Sequence, residues 1–143
     1  MRYLLDTNVI SELRKAGTLS IDPNVSGWAK SVDADNMFIS VFTLMEIEKG
    51  ILKHERKDKL QAQMLRQWFT QRVLSEFAER TLLVDAEIAL YCARLHVPDK
   101  RSECDAWIAA TAWRHELILV TRNVKDFAGM GVRLLNPWNQ ISC

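Results

Sequence analysis

A chain of 143 residues, 48% hydrophobic and 26% charged, has an ordinary globular composition and the length of one domain. Its 19 basic and 18 acidic residues leave a net charge of +1, which argues against a wholly basic nucleic-acid binder. No stretch approaches the roughly 20 apolar residues of a membrane span, and the N-terminus lacks a signal-peptide pattern. We therefore expect a single cytoplasmic domain over residues 1–143.

Short apolar runs alternate with amphipathic segments along the chain. In order, the pattern predicts a strand at Tyr3–Leu5, a helix from Thr7, a helix from Asp22-Pro23, a strand at Met37–Ile39, a helix from Thr43 to His54, a long helix from Arg56 to Phe77, a strand at Thr81–Val84, a helix from Asp85, a helix from Ser102 to Glu116, a strand at Leu117–Thr121, a turn at Gly129 and Gly131, and a strand at Val132–Leu134. The long helix is predicted to carry an apolar stripe, and Trp113 is likewise expected in the core. The residues of the stripe are Leu60, Met64, Leu65, Trp68, Val73 and Phe77. Strands separated by helices predict an α/β fold with a parallel sheet of four to five strands, covered on both faces.

Acidic residues recur where the predicted strands end. Asp6 follows the first strand directly, Glu46 lies soon after the second, and Asp126 lies just past the fourth with Asn123 before it. Asp105 stands in the first turn of the helix that leads into the fourth strand, and such a helix begins near the same edge. In open parallel sheets ligands bind beyond the carboxyl ends of the strands. We expect Asp6, Glu46, Asp105 and Asp126 to meet there as catalytic acids.

Hard divalent cations explain why acids would gather at one edge. Mg²⁺ takes oxygen ligands and keeps several waters, and carboxylates this close repel one another unless a cation lies between them. One or two such ions can activate water and stabilise a phosphodiester under attack. The histidines match no metal-ligand spacing, and the three dispersed cysteines indicate a reducing compartment without disulfides or a thiolate zinc site: Cys92, Cys104 and Cys143.

Helix capping is the competing interpretation of the same acids. Acidic side chains are stabilising in first helical turns, and both Thr43-Leu-Met-Glu46 and Ser102-Glu-Cys-Asp105 match the capping box. The spacing leaves both interpretations open for Glu46 and Asp105, whereas Asp22 and Asp85 are interpreted as plain caps.

At these residues the sequence resembles the PIN-domain family, in particular the toxin nucleases of the VapC/FitB type. The resemblance is carried by LLDTNVISEL at the N-terminus, FISVFTLMEIEKGI around Glu46, CDAWIAATAWRHELILVTRNVKDF from Cys104 onwards, and GVRLLNPW near the C-terminus. These motifs occur in order over nearly the whole chain.

The resemblance implies a three-layer fold, a Mg²⁺ or Mn²⁺ cofactor and cleavage of RNA. It implies metal-binding roles for Asp6, Glu46 and Asp105, with the fourth position filled by either Asn123 or Asp126. Residues that hold the carboxylates in place would be Thr7, Asn8 and Thr121. The resemblance further implies a type II toxin–antitoxin pair, a homodimer, and contact with DNA only through the antitoxin.

Basic residues near these motifs are candidates for RNA phosphate contacts. The candidates are Lys49, Lys53, Arg122 and Lys125. Acidic residues interrupt the basic run after Glu46, so a solvated helix face is the alternative interpretation.

Two other functions fit parts of the pattern. A phosphatase of the HAD-like type would use Asp6 as a nucleophile, but Asp6-Thr7-Asn8 lacks a second Asp two residues later to act as the acid. A catalytically inactive PIN-fold binding module is the other alternative, and the retained acids argue against it.

Overall fold

A computed structural model describes residues 1–139 and contains one five-stranded sheet in which every pair is parallel. The strands are β1 (Tyr3–Leu5), β2 (Met37–Ser40), β3 (Thr81–Leu82), β4 (Ile118–Val120) and β5 (Leu134–Leu135). Their order across the sheet is β3-β2-β1-β4-β5. The predicted α/β class and parallel sheet are confirmed, and β1 and β4 are neighbours although they lie more than 100 residues apart in sequence.

Helices fill the connections between the strands. They are α1 (Thr7–Leu13), α2 (Pro23–Ser31), α3 (Val41–Glu55), α4 (Lys59–Trp68), α5 (Leu74–Glu76), α6 (Ala86–Leu95) and α7 (Glu103–Arg114). A π-helical segment, Phe69–Val73, joins α4 to α5, and short 3-10 turns occupy Ala34–Asn36 and Val124–Phe127. Within residues 1–139, no helix is both long and apolar enough to cross a membrane.

The sheet separates two hydrophobic layers, as the alternation of side chains along β1 requires. Leu5 faces a cluster built with α1, α2 and α3 that includes Val9, Trp28 and Ile47. Leu4 faces the opposite cluster, which contains Ile108 of α7 and is backed by α6. Helices therefore cover both faces of the sheet.

Leu119 tests how much the central strands contribute to stability. It is fully buried on β4 and pairs with Leu4 on one side and Leu134 on the other. We expect Leu119→Ala to lower the free energy of unfolding by about 2–5 kcal/mol, because it leaves a cavity that the sheet cannot close. Urea denaturation measures the loss. Leu52→Ala, at a half-exposed position on α3, is the matched control and should change stability by less than about 0.5 kcal/mol.

Several predicted boundaries were wrong. The third helix begins at Val41, not Thr43, because the Ser40 hydroxyl accepts the Phe42 N–H and caps it. The long helix begins at Lys59, not Arg56, because Asp58 caps a new helix there. The third strand ends at Leu82, and the last strand is Leu134–Leu135. The turn at Gly129 and Gly131 is confirmed, since both have positive φ.

The predicted apolar stripe of the long helix was also partly wrong. Leu60 and Met64 are exposed, while the buried side runs through Ala62 and Phe69. Residues two apart point about 200° from each other around a helix, so Leu60 and Met64 lie nearly opposite Ala62. Trp113, expected in the core, is partly exposed and stacks on Tyr91 with 4.0 Å between ring centroids.

The cysteines agree with the absence of a disulfide framework as far as the structure describes them. Cys92 is buried, Cys104 is half-buried and both are free thiols. Cys143 lies outside the described residues.

Candidate metal centre

Asp6 is the buried centre of the carboxyl edge. The register that pairs Leu5 with Val120 makes Asp6 and Thr121 emerge side by side from β1 and β4. The Thr121 hydroxyl donates to Asp6 Oδ2 at 2.8 Å, and the Thr7 N–H donates to Oδ1 at 2.8 Å. The Asn8 amide adds a third bond to Oδ2 at 3.3 Å. Three donors thus fix a carboxylate that is only 5% exposed.

A network of polar groups holds the Asp6 partners in turn. Thr121 is fully buried, and its hydroxyl accepts the Asn123 N–H at 3.0 Å while donating to Asp6. The Asn8 amide oxygen accepts the Arg122 N–H at 3.2 Å. The loop after β4 is therefore tied to the start of α1. The predicted supporting positions Asn8 and Thr121 both donate hydrogen bonds to Asp6.

Glu46 is joined to the same edge through Thr7. The Thr7 hydroxyl donates to Glu46 Oε1 at 2.6 Å. Glu46 is the sixth residue of α3, so it does not take part in a capping box with Thr43, and that interpretation is wrong. The contact spans α1 and α3 and places the carboxylate beside the residue that follows Asp6.

Asp105 enters from the first turn of α7. Burial raises its pKa to about 6, and the charges of Asp6, Asp126 and Glu46 add to the rise. Burial also raises the pKa of Asp6, against the lowering effect of its hydrogen bonds from Thr121, Thr7 and Asn8. The predicted capping box at Ser102 is wrong, since the Ser102 side chain caps no backbone N–H. The charges of the other three predicted acids, Asp6, Asp126 and Glu46, therefore all act on Asp105.

Asp126 and Asn123, the two candidates for the fourth position, make different contacts. Asp126 is exposed in the turn after β4, and its charge raises the pKa of Asp6 and of Asp105. Asn123 contributes its backbone N–H to Thr121 and its carbonyl to the Asp126 N–H at 3.0 Å. Asp126 is thus the charged member, while the contacts of Asn123 hold the loop.

Arg101 is a residue at this edge that sequence reasoning missed. Its guanidinium donates to the carbonyls of Asp126 at 3.3 Å and Ala128 at 2.7 Å. These bonds tie the segment before α7 to the loop that carries Asp126. No local sequence signal marks the contact, because it joins two irregular segments about 25 residues apart.

The carboxylate oxygens at this edge suit a hard cation that is bound with several waters. Among residues 1–139 no group of three or more Asp, Glu, His or Cys side chains is placed to hold a metal ion. Mg²⁺ does not need such a group, since it commonly uses one or two carboxylates and retains water. A buried Asp6 and an Asp105 that repels three neighbours are the conditions under which a cation is favourable. The residues present therefore fit a divalent ion.

The predicted phosphate contacts all lie on the surface. Lys49, Lys53, Arg122 and Lys125 are exposed. The Arg122 guanidinium lies 5.1 Å from the centroid of the Trp138 ring. Burial raises the pKa of the Cys104 thiol, and the positive charge of Lys49 partly opposes that rise. The plain caps predicted at Asp22 and Asp85 are confirmed.

Fold and site together define an α/β protein with a parallel sheet whose carboxyl edge carries the buried carboxylate of Asp6, within electrostatic reach of Asp105. Comparison with known proteins gives the family: the chain belongs to the PIN domain family, which matches residues 3–131. It is similar to ribonuclease VapC14 of Mycobacterium tuberculosis, with 46% identity over 54% of this chain and 72% of the relative. It is also similar to toxin FitB of Neisseria gonorrhoeae, with 32% identity over 95% and 98% of the two chains.

A solved structure has the same fold over nearly the full length. It is the structure of FitAB bound to an IR36 DNA fragment, with a TM-score of 0.84, 28% identity, and coverage of 98% of this chain and 98% of that one.

Proposed function

We propose that this chain is a Mg²⁺- or Mn²⁺-dependent endoribonuclease and the toxin of a type II toxin–antitoxin pair. The observation that carries the proposal is the buried Asp6 at the carboxyl edge of the sheet together with Asp105, whose pKa is about 6 because burial and the charges of Asp6, Asp126 and Glu46 oppose its ionisation. Membership of the PIN domain family and the similarity to a ribonuclease and to a toxin support the choice of reaction.

Asp6 and Asp105 would hold the ion, with Glu46 and either Asp126 or Asn123 completing its surroundings. When bound, the ion would supply Lewis-acid activation of water and neutralise charge on the phosphate. The chain's own part is orientation: Thr121 and Thr7 fix both oxygens of Asp6, and Thr7 also holds Glu46. Rigid carboxylates of this kind keep the attacking water and the phosphate in line.

Exposed cations flank this edge and would guide the RNA. Lys49, Lys53, Arg122 and Lys125 would contact phosphates, so RNA affinity should fall as salt rises. We further propose that the chain acts in the cytoplasm as a homodimer. A cognate antitoxin would hold it inactive and bring it to DNA, in line with the FitAB structure on DNA.

The phosphatase alternative finds no support at the position that it needs. A second acid two residues after Asp6 would be required, and the residue there, Asn8, uses its amide to bind Asp6 and Thr121. A phosphorylated Asp6 trapped after incubation with a phosphate ester would favour the phosphatase over the nuclease.

A cleavage assay with controlled metal tests the proposal. We expect the purified chain to cut end-labelled single-stranded RNA in Mg²⁺ or Mn²⁺, and EDTA to abolish the cutting, because repelling carboxylates cannot position the phosphate without a cation. Asp22→Asn is the matched control: it neutralises an acid that only caps α2, and Asn caps equally well. Cutting that survives EDTA would overturn the proposal. So would a chain that binds the RNA but does not cut it in Mg²⁺ or Mn²⁺.

A further inference from the structure

A small cavity adjoins the carboxylate edge on the side of α1, α3 and α4. Its volume is about 250 Å³, and it shares Thr7 and Glu46 with the acidic site. Arg14 and Trp68 also line it. The Thr7 hydroxyl donates to Glu46 Oε1 at 2.6 Å, so the cavity and the acidic site share a hydrogen-bonded pair of residues.

The cavity combines a flat aromatic wall with hydrogen-bonding groups. Trp68 is half-buried, and the Arg14 guanidinium lies 6.0 Å from the centroid of its ring. Gln61 and His54 add an amide and an imidazole at the rim, above a buried apolar floor that includes Ile51. Unpaired nucleic-acid bases are bound in this way, by stacking on aromatic or guanidinium planes and by hydrogen bonds to the base edge.

The size and polarity of the space favour a base over other occupants. At about 250 Å³ it is below the range of about 300–1,000 Å³ typical of drug-sized ligands. A groove for a partner helix would present a longer apolar strip, with anchors at successive turns.

Gly50 keeps this space open. It lies on α3 one turn after Glu46 and lines the cavity, and a Cβ built there would meet no heavy atom within 4 Å. Glycine is unfavourable inside a helix, so the backbone gains nothing from it at this position. A Cβ at this position would meet open space, and a longer side chain built on it would occupy part of the cavity.

We propose that the cavity bounded by Thr7, Glu46, Gly50, Gln61, Trp68 and Arg14 is a subsite for one unpaired RNA base beside the scissile phosphodiester. This inference rests on the proposed ribonuclease function and identifies its substrate as single-stranded at that position. Trp68 and Arg14 supply the stacking surfaces, and Gln61 contacts the base edge.

Filling the cavity tests the assignment. We expect Gly50→Leu to keep or raise the thermal midpoint, since it improves helix propensity. It should nevertheless raise KM for a single-stranded RNA by at least about fivefold, because one stacked base is lost. Gly27→Leu is the matched control: Gly27 is an exposed glycine in helix α2 with no heavy atom within 4 Å of a built Cβ, and its change should leave KM unaltered.

Removal of single bases from the substrate makes the test specific. In the wild-type protein, an abasic residue at one position next to the cut should raise KM by the same factor, and that penalty should vanish in Gly50→Leu, because both changes remove one contact. A wild-type KM in Gly50→Leu, or an abasic penalty that persists there, overturns the subsite. If Gly50→Leu cuts normally but escapes inhibition by the antitoxin, the cavity belongs to the protein partner and the proposal is wrong.

A binding measurement separates this proposal from the proposed nuclease function. Fluorescence anisotropy compares the affinity of labelled RNA for Asp105→Asn with that for Asp105→Asn/Gly50→Leu, so no cleavage is required. A loss of at least about fivefold on filling the cavity supports the subsite even if the wild-type chain cuts no RNA. Equal affinities overturn the subsite even if the wild-type chain is an active nuclease.

Discussion

Replacing Asp6 with Asn is expected to lower the rate of RNA cleavage by about 10³-fold or more, since a metal ion's charge stabilisation is worth several kcal/mol. The change preserves the size of the side chain and removes its charge. Asp6 is the most buried of the four acids, so neither water nor another carboxylate can take its place. Single-turnover cleavage of labelled RNA in Mg²⁺ measures the effect.

The hydrogen bonds around Asp6 define what else the substitution does. Both carboxylate oxygens accept bonds, from Thr7 on one side and from Thr121 and Asn8 on the other. The Asn side chain would turn its NH₂ group toward one of these two sets of hydrogen-bond donors. At that oxygen position two donors would then face each other without an acceptor. Some loss of stability is therefore expected, and the thermal midpoint must be measured beside the rate.

Control variants separate the loss of charge from the loss of fold. Thr121→Val removes one hydrogen bond to Asp6 and keeps all four carboxylates, so it should disturb stability yet retain more activity than Asp6→Asn. If Asp6→Asn retains more than about a tenth of the wild-type rate, a shortfall of under about 1.4 kcal/mol, then Asp6 does not hold the ion.

The sequence sufficed to predict which edge of the sheet carries the candidate acids, because the carboxyl ends of parallel strands lie at one edge. Asp6 and Asp126 follow two neighbouring strands, β1 and β4, so both lie at that edge. The alternation of short apolar runs with amphipathic segments predicted a sheet covered by helices on both faces. Asp22-Pro23 predicted a helix start that the structure confirms. These features depend on short stretches of chain.

What escaped prediction depends on contacts between distant segments or on local competition. Ser40 caps α3 three residues earlier than the Thr43 pattern suggested, which changes the position of Glu46 within its helix. Arg101 contacts the Asp126 loop with no sequence signal. The helical stripe containing Trp68 indicated a core residue, and only the packing of α1, α3 and α4 shows its ring lining a cavity next to Glu46.

Replacing Asp105 with Asn should abolish RNA cleavage and, without metal, stabilise the folded chain at neutral pH. The effects on activity and on stability differ in sign because of the surroundings of Asp105. Burial and the charges of Asp6, Asp126 and Glu46 raise the pKa of Asp105 from 3.8 to about 6. The folded state thus binds the proton more tightly than the unfolded state does. Stability contributed by the protonated form is full below about pH 4 and is lost as the pH rises through about 6.

Asp105→Asn has no titratable group at this position, so its free energy of unfolding does not fall through deprotonation there. In EDTA at pH 7.5 we expect it to exceed the wild-type free energy of unfolding by about 1–2 kcal/mol, an amount that allows for solvent screening at a partly exposed group. At pH 4 the two proteins should be nearly equal. Urea denaturation at both pH values measures the difference, and the comparison cancels the titration of the other acids.

Metal should reverse the order of stability. Mg²⁺ binds the folded wild-type chain and stabilises it by mass action, while Asp105→Asn, which lacks one of the acids that hold the ion, gains less. Asp22→Asn should respond to Mg²⁺ as the wild type does. A variant that is less stable than the wild type in EDTA at pH 7.5, or one that gains as much from Mg²⁺, would contradict the role of Asp105 as a carboxylate that needs a cation beside it.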